Sequence, residues 1–220
     1  MNTPKQASWI VKKIFDVREW FRQNNPNESL SNFCKNGKFC IKKLYNASRP
    51  QFQKCNWKRL TIASKAIPRH KFILWLALHR RLATVERLQR WGLMVSKDCV
   101  LYRSNEEEAL DHLLFDCAYS RTMWATMLRW TGMQHQIGSW DEEIEWMAKV
   151  AVSKSKGEIL VFLFTAVIYH VWQERNNRRF QGKEIECSRR IKEVVQMLHI
   201  RGQKIEKWKR ELEKLNSHPS

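Results

Sequence analysis

The run ILVFLFTAVIYHVW, residues 159–172, decides the fold. It carries no formal charge, so it is either a membrane span or the centre of a protein core. A span needs about 20 apolar residues, and this run has 14. It therefore reads as a buried core helix. Just upstream, Ser155 and Glu158 have the spacing of a capping box, which would open that helix at 157 and carry it to 179. A helix that is apolar all round must be enclosed by other elements.

The rest of the chain supplies helices to enclose it. The protein has 220 residues, 43% of them hydrophobic, with eleven Trp, which is enough for a sizeable core. Gly and Pro are few, and long alternating β-branched runs are absent, so the fold class is mainly α. Residues 5–23 place Trp9, Val11, Ile14, Val17, Trp20 and Phe21 on one broad face. NNPNES, 24–29, is a loop. KFCIKKLYN, 38–46, alternates briefly and reads as a short strand or the start of a helix. Pro68 opens a helix with Phe72, Trp75, Leu76 and His79 on one face. Thr84 caps a short helix that Gly92 ends. Asn105 with Glu108 has capping-box spacing for a helix through Phe115. A further helix covers 120–130 and stops near Gly132. Ser139 with Glu142 opens another over 140–153.

In the tail, 184–216, Cys187, Ile191, Val194, Leu198, Arg201, Ile205, Trp208, Leu212 and Leu215 recur in alternating steps of four and three. That seam fits a coiled-coil-like helix pairing with a second copy or a helical partner. It equally fits a long amphipathic helix on its own core, split at Gly202. The expected architecture is a compact helical domain with a small Cys/His loop, one short β element and a long C-terminal amphipathic helix. Its segments would be 1–37, 38–132, 133–182 and 183–220.

Forty basic against 22 acidic residues give a net charge of +18. Residues 1–60 carry +10 and 61–95 carry +6, whereas 96–117 carry −4. A field of that sign attracts phosphate backbones. Candidate phosphate contacts are Lys12, Lys13, Lys42, Lys43, Lys58, Arg59, Arg69, Lys71, Arg80 and Arg81, with Arg175, Arg178 and Arg179 after the apolar run. Trp57, Tyr45 and Phe52 lie among them and could stack on single-stranded bases, although most aromatics serve core packing.

No secretory signal opens the chain, so an intracellular, reducing compartment is expected for its six cysteines. Basicity favours the nucleus over the cytoplasm. CVLYRSNEEEALDHLLFDC, 99–117, holds Cys99, His112 and Cys117. Zinc takes four ligands, commonly Cys thiolates and His nitrogens. Where a Cys-x-x-Cys pair would put its second thiol stands Tyr102, a poor ligand because its phenol is largely protonated near neutral pH. Asp116 is a candidate substitute. The competing reading is two small buried thiols and a hydrogen-bonded histidine. No phosphate loop, nucleophile elbow, HExxH or polymerase-like aspartate pair is present. Asp141, Glu142, Glu143 and Glu145 open a helix, where carboxylates suit the dipole. His79 and His170 lie on apolar faces. No enzyme is expected.

IPRHKFILWLALHRRLATVERLQRWGL (67–93), the Cys99–Cys117 stretch and AYSRTMW (118–124) together resemble the zinc-binding domain that follows the polymerase in plant LINE-type retrotransposons. SWIVKKIFDVREW (8–20) and IYHVWQERNNRRF (168–180) resemble its flanks. The likeness implies metal ligands at Cys99, His112 and Cys117, with the fourth position occupied by Tyr102. It implies a degenerate site with zinc absent or weakly bound. It further implies a stand-alone, non-catalytic module that holds RNA or DNA, or else a protein-interaction module or an element remnant without selected function.

Overall fold

A computed structural model describes residues 8–24, 29–50, 55–62, 64–102, 106–215 and 219. The chain divides into two compact units, Met1–Lys54 and Cys55–Ser220.

In the first unit, α1 (Trp9–Asn24) carries Phe21, which meets Phe33 edge to face at 5.4 Å. A 3₁₀ turn, Leu30–Phe33, leads into β1 (Cys34–Lys35), which pairs antiparallel with β2 (Lys38–Phe39). Asn36 and Gly37, both at positive φ, form the two-residue turn that such a hairpin needs. Then α2 runs over Ile41–Ser48. Residues 38–46 thus hold a strand end followed by a helix. Of the broad apolar face expected of α1, Phe21 is buried, whereas Trp9, Val17 and Trp20 are exposed, Trp9 to 72%.

The second unit consists of α3 (Lys58–Thr61), α4 (Pro68–Leu78), α5 (Val85–Arg90), a π-helical turn (His112–Asp116), α6 (Ala118–Trp130), α7 (Trp140–Val150), α8 (Ser155–Asn176), α9 (Cys187–Gly202) and α10 (Glu206–Leu212). Helix α8 contains the apolar run. It is long and apolar enough to cross a membrane, but α4, α6, α7, α9 and α10 pack around it and bury most of its surface. Phe115, Trp124 and Trp140 lie 5.7, 5.3 and 6.4 Å from the Phe164 ring.

Several local expectations shift. Ser139 and Glu142 do form a capping box, with Glu142 accepting the Ser139 N–H at 2.8 Å. The cap expected at Ser155 does not form. Lys154 stands at that cap, and Glu158 instead pairs with Lys65 and Lys207 and accepts from Trp208 Nε1. Asn105 lies outside the described residues. The helix expected to open there does not: Glu108 is buried, lies before the first helical residue, Leu110, and accepts the Val85 N–H at the start of α5 instead. Helix α4 turns His70, Leu74 and Ala77 inward and leaves Phe72 exposed, because its contact with α8 lies along that stripe. Glu143 is fully buried and accepts from Trp124 Nε1, His135 Nε2 and Gly138 N at 2.7–2.9 Å, a structural role.

The tail is not one long helix. Helix α9 ends at Gly202, and α10 folds back across it. A Cβ on Gly202 would run into Leu212 Cδ1, so any larger residue there requires the Leu212 side chain to give way. Val194, Leu198, Trp208 and Leu212 of the seam are buried in the chain's own core. That core runs without interruption from Leu60 to Leu212, so no boundary falls at 132 or 182.

Candidate metal centre

Cys99 sits where the loop after α5 closes on itself. Asp98 bridges Glu107, the Cys99 N–H donates to Glu106 O, and the Glu108 N–H donates to Lys97 O. On the other side, Cys117 lies five positions after His112. On an α-helix, positions five apart diverge by about 140°. Here the backbone widens into a π turn, and Cys117 N–H reaches His112 O at 2.6 Å. That turn brings the histidine and the cysteine onto one side. Cys117 then stands at the N-cap of α6.

The sulfurs of Cys99 and Cys117 are 3.8 Å apart. One nitrogen of His112 completes a set whose members all lie within 4.8 Å of one another. Both cysteines are buried, and the His112 side chain is 11% exposed. Glu106 holds His112 Nδ1 at 2.9 Å. That leaves Nε2, buried and turned towards the Cys99 sulfur, as the nitrogen available to a metal. A carboxylate behind a histidine is the usual outer support of a zinc ligand.

The two thiols titrate as a pair. A hydrogen bond from Cys117 holds the Cys99 thiol down at about 5, against the cost of burial, helped by the backbone N–H groups of Leu101 and Tyr102. The hydrogen bond to Cys99 and burial push Cys117 up, while the N–H groups of Tyr119 and Ser120 pull the other way. Two soft sulfurs in backbone amide cradles and one supported imidazole form a donor set that fits zinc. The chain would hold the ion through Cys99 Sγ, Cys117 Sγ and His112 Nε2. Zinc there would cross-link the loop to the π turn. Tyr102 is 62% exposed and lies outside the cluster. Asp116 is also outside it, exposed and 3.8 Å from Arg121.

The candidate phosphate contacts separate into groups. Lys12, Lys13, Lys42, Lys43, Lys58, Arg59, Arg69 and Arg81 are exposed. Lys43 Nζ also donates to Cys34 O, and Arg69 lies over the Tyr169 ring. Lys71 is half-buried and donates to Ser64 O. Arg80 is paired with Asp111 and Asp141. Tyr45 is exposed, Trp57 packs edge to face on His79, and Phe52 lies outside the described residues.

Arg175, Arg178 and Arg179 do not belong to an outer basic surface. Arg175 and Arg179 pair with the buried Glu108 at 2.6 and 3.1 Å, and Arg178 pairs with the buried Glu174 at 2.8 Å. Their charges are neutralised inside, where an unpaired carboxylate would be costly. The sequence offered no sign of this. Glu108 had a plausible place as a cap, and nothing in the spacing linked it to residues 67 and 71 positions away. Nor did the spacing mark Glu106 as the partner of His112.

Residues 39–124 match the family described as zinc-binding in reverse transcriptase. The matched stretch contains all three donors, and the likeness to a reverse-transcriptase zinc-binding domain read from the sequence holds over it. No curated protein and no solved structure matches the chain.

Proposed function

We propose that the protein is a non-catalytic nucleic-acid-binding module derived from the reverse transcriptase of a LINE-type retrotransposon. The carrying observation is the surface of the first unit. Lys12, Lys13, Lys42 and Lys43 are exposed in that unit, as are Trp9, Trp20 and Tyr45. Cations that release counterions and aromatic faces that stack on unpaired bases together suit a single strand. Lys58, Arg59, Arg69 and Arg81 add exposed positive charge in the second unit. The acidic stretch 96–117 does not offset it, because Glu107, Glu108 and Asp111 pair with Lys97, Arg175, Arg179 and Arg80.

Zinc has a structural part in this reading. Three donors hold it weakly, and the fold does not depend on it. The alternative of a coiled-coil partner loses its seam to the chain's own core.

Fluorescence anisotropy of the purified protein against single-stranded RNA, single-stranded DNA and duplex DNA across a salt series tests the proposal. Binding with a steep salt slope, stronger for single strands and unmoved by chelator, supports it. Absence of binding at low salt refutes it.

A further inference from the structure

Two arginines of the π-helical turn that follows α8, Asn177–Gln181, grip the backbone of the Cys99 loop on both sides of the cysteine. Arg179 donates to Ser96 O at 3.0 Å and Asp98 O at 2.7 Å. Arg178 donates to Leu101 O at 2.9 Å. Each guanidinium is anchored in turn by a fully buried carboxylate: Arg179 by Glu108, and Arg178 by Glu174. Glu108 also accepts the Val85 N–H at 3.1 Å, so α5, the loop and α8 meet on one carboxylate. Arg178 and Arg179 are about nine-tenths buried, where such charge-assisted bonds are strongest. The planar fork of arginine holds two carbonyls in one fixed geometry, whereas an ammonium on a flexible stem imposes none.

We propose that Arg178 and Arg179 are positioning residues for the Cys99–His112–Cys117 centre, holding the Cys99 loop in its metal-binding shape with no metal required. The bonds that fix residues 96, 98 and 101 come from the protein itself, so Cys99 stays opposite Cys117 with or without an ion. The inference does not rest on nucleic-acid binding.

The test uses the full chain in excess chelator, with iodoacetamide as the probe and each cysteine followed by peptide mass. In the wild type, Cys99 is expected to react roughly tenfold or more slowly than exposed Cys55, the protection a closed local structure gives. In Arg178→Gln/Arg179→Gln, the Cys99 rate is expected to rise about tenfold while Cys40, in the first unit, is unchanged and melting stays cooperative. The double variant leaves neither buried carboxylate alone, since Glu108 keeps Arg175 and Glu174 keeps Arg190. Lysine at both positions restores the charge without the fork and is expected not to restore protection. A second measurement needs no variant. Amide exchange across 97–102 in the wild type is expected to be the same with and without chelator. Rapid labelling of Cys99 in chelated wild type, loss of amide protection there on chelation while α8 stays protected, or a folded double variant with Cys99 still protected would each overturn the proposal.

Discussion

Tyr102 donates its backbone N–H to the Cys99 sulfur while its side chain stands exposed. The backbone at that position therefore already turns back on the Cys99 sulfur. Protein purified without added metal is expected to carry well under one zinc per chain by atomic emission. Tyr102→Cys is expected to tighten zinc roughly tenfold or more, since even outer-shell partners of a metal are worth that much. Competition against a chromogenic chelator reads it, and an unchanged affinity would mean that the loop cannot present a fourth donor. The cysteines and His112 were legible in the sequence because metal ligands keep a spacing. Their supports were not, because Glu106, Glu108 and Arg178 act through tertiary contacts that spacing does not encode.

His70 and His170 make a second residue-scale case. Both are buried with ring nitrogens lacking hydrogen bonds, their rings 5.8 Å apart between α4 and α8. Burial first, then the charge of His170 and of Arg69, pull His70 down to about 3; burial, Arg190 and Arg69 pull His170 down to about 4. Glu193 stands 3.7 Å from His170 Nδ1. The unfolded chain therefore binds protons that the folded chain refuses. Stability is complete above about pH 6.5 and falls as pH drops towards the folded values, by about 1.4 kcal/mol per unit for each histidine. Urea midpoints at pH 7 and pH 5 measure this, and His70→Phe is expected to flatten the difference.

At the scale of elements, periodicity found most helices but not which face of each one is buried. Helix α4 has apolar residues nearly all round, so the pattern could not choose between its Phe72 stripe and its His70 stripe; the position of α8 chose. The heptad steps of the tail were real, yet Gly202 lets α10 return against α9 instead of continuing it. Gly202→Ala drives a methyl into Leu212 and is expected to cost about 1–3 kcal/mol. Trp208→Ala empties the site against Phe162 and removes the donor to Glu158, with an expected cost of about 3–5 kcal/mol. Thermal melts followed by circular dichroism check both. Small effects would mean that the return of α10 contributes little to the fold.

At the scale of the molecule, removing 184–220 is expected to unfold the second unit rather than release a dimer, because Val194, Leu198 and Trp208 are fully buried in its core. Loss of cooperative melting reads it; a shortened chain that still melts cooperatively would return the tail to the role of a partner helix.

The unbroken core from Leu60 to Leu212 also bears on what the likeness over 39–124 means. The matched stretch begins inside one compact unit and ends inside another, at a Trp124 whose ring neighbours Trp146 and Phe164 come later in the chain. What the likeness delimits is a ligand-bearing strip rather than an autonomous folding body. Excised at those limits, the strip would carry its cysteines and histidine but leave behind α8 and both arginines that shape the loop. A search for the metal in such an excised piece would be measuring an unfolded peptide.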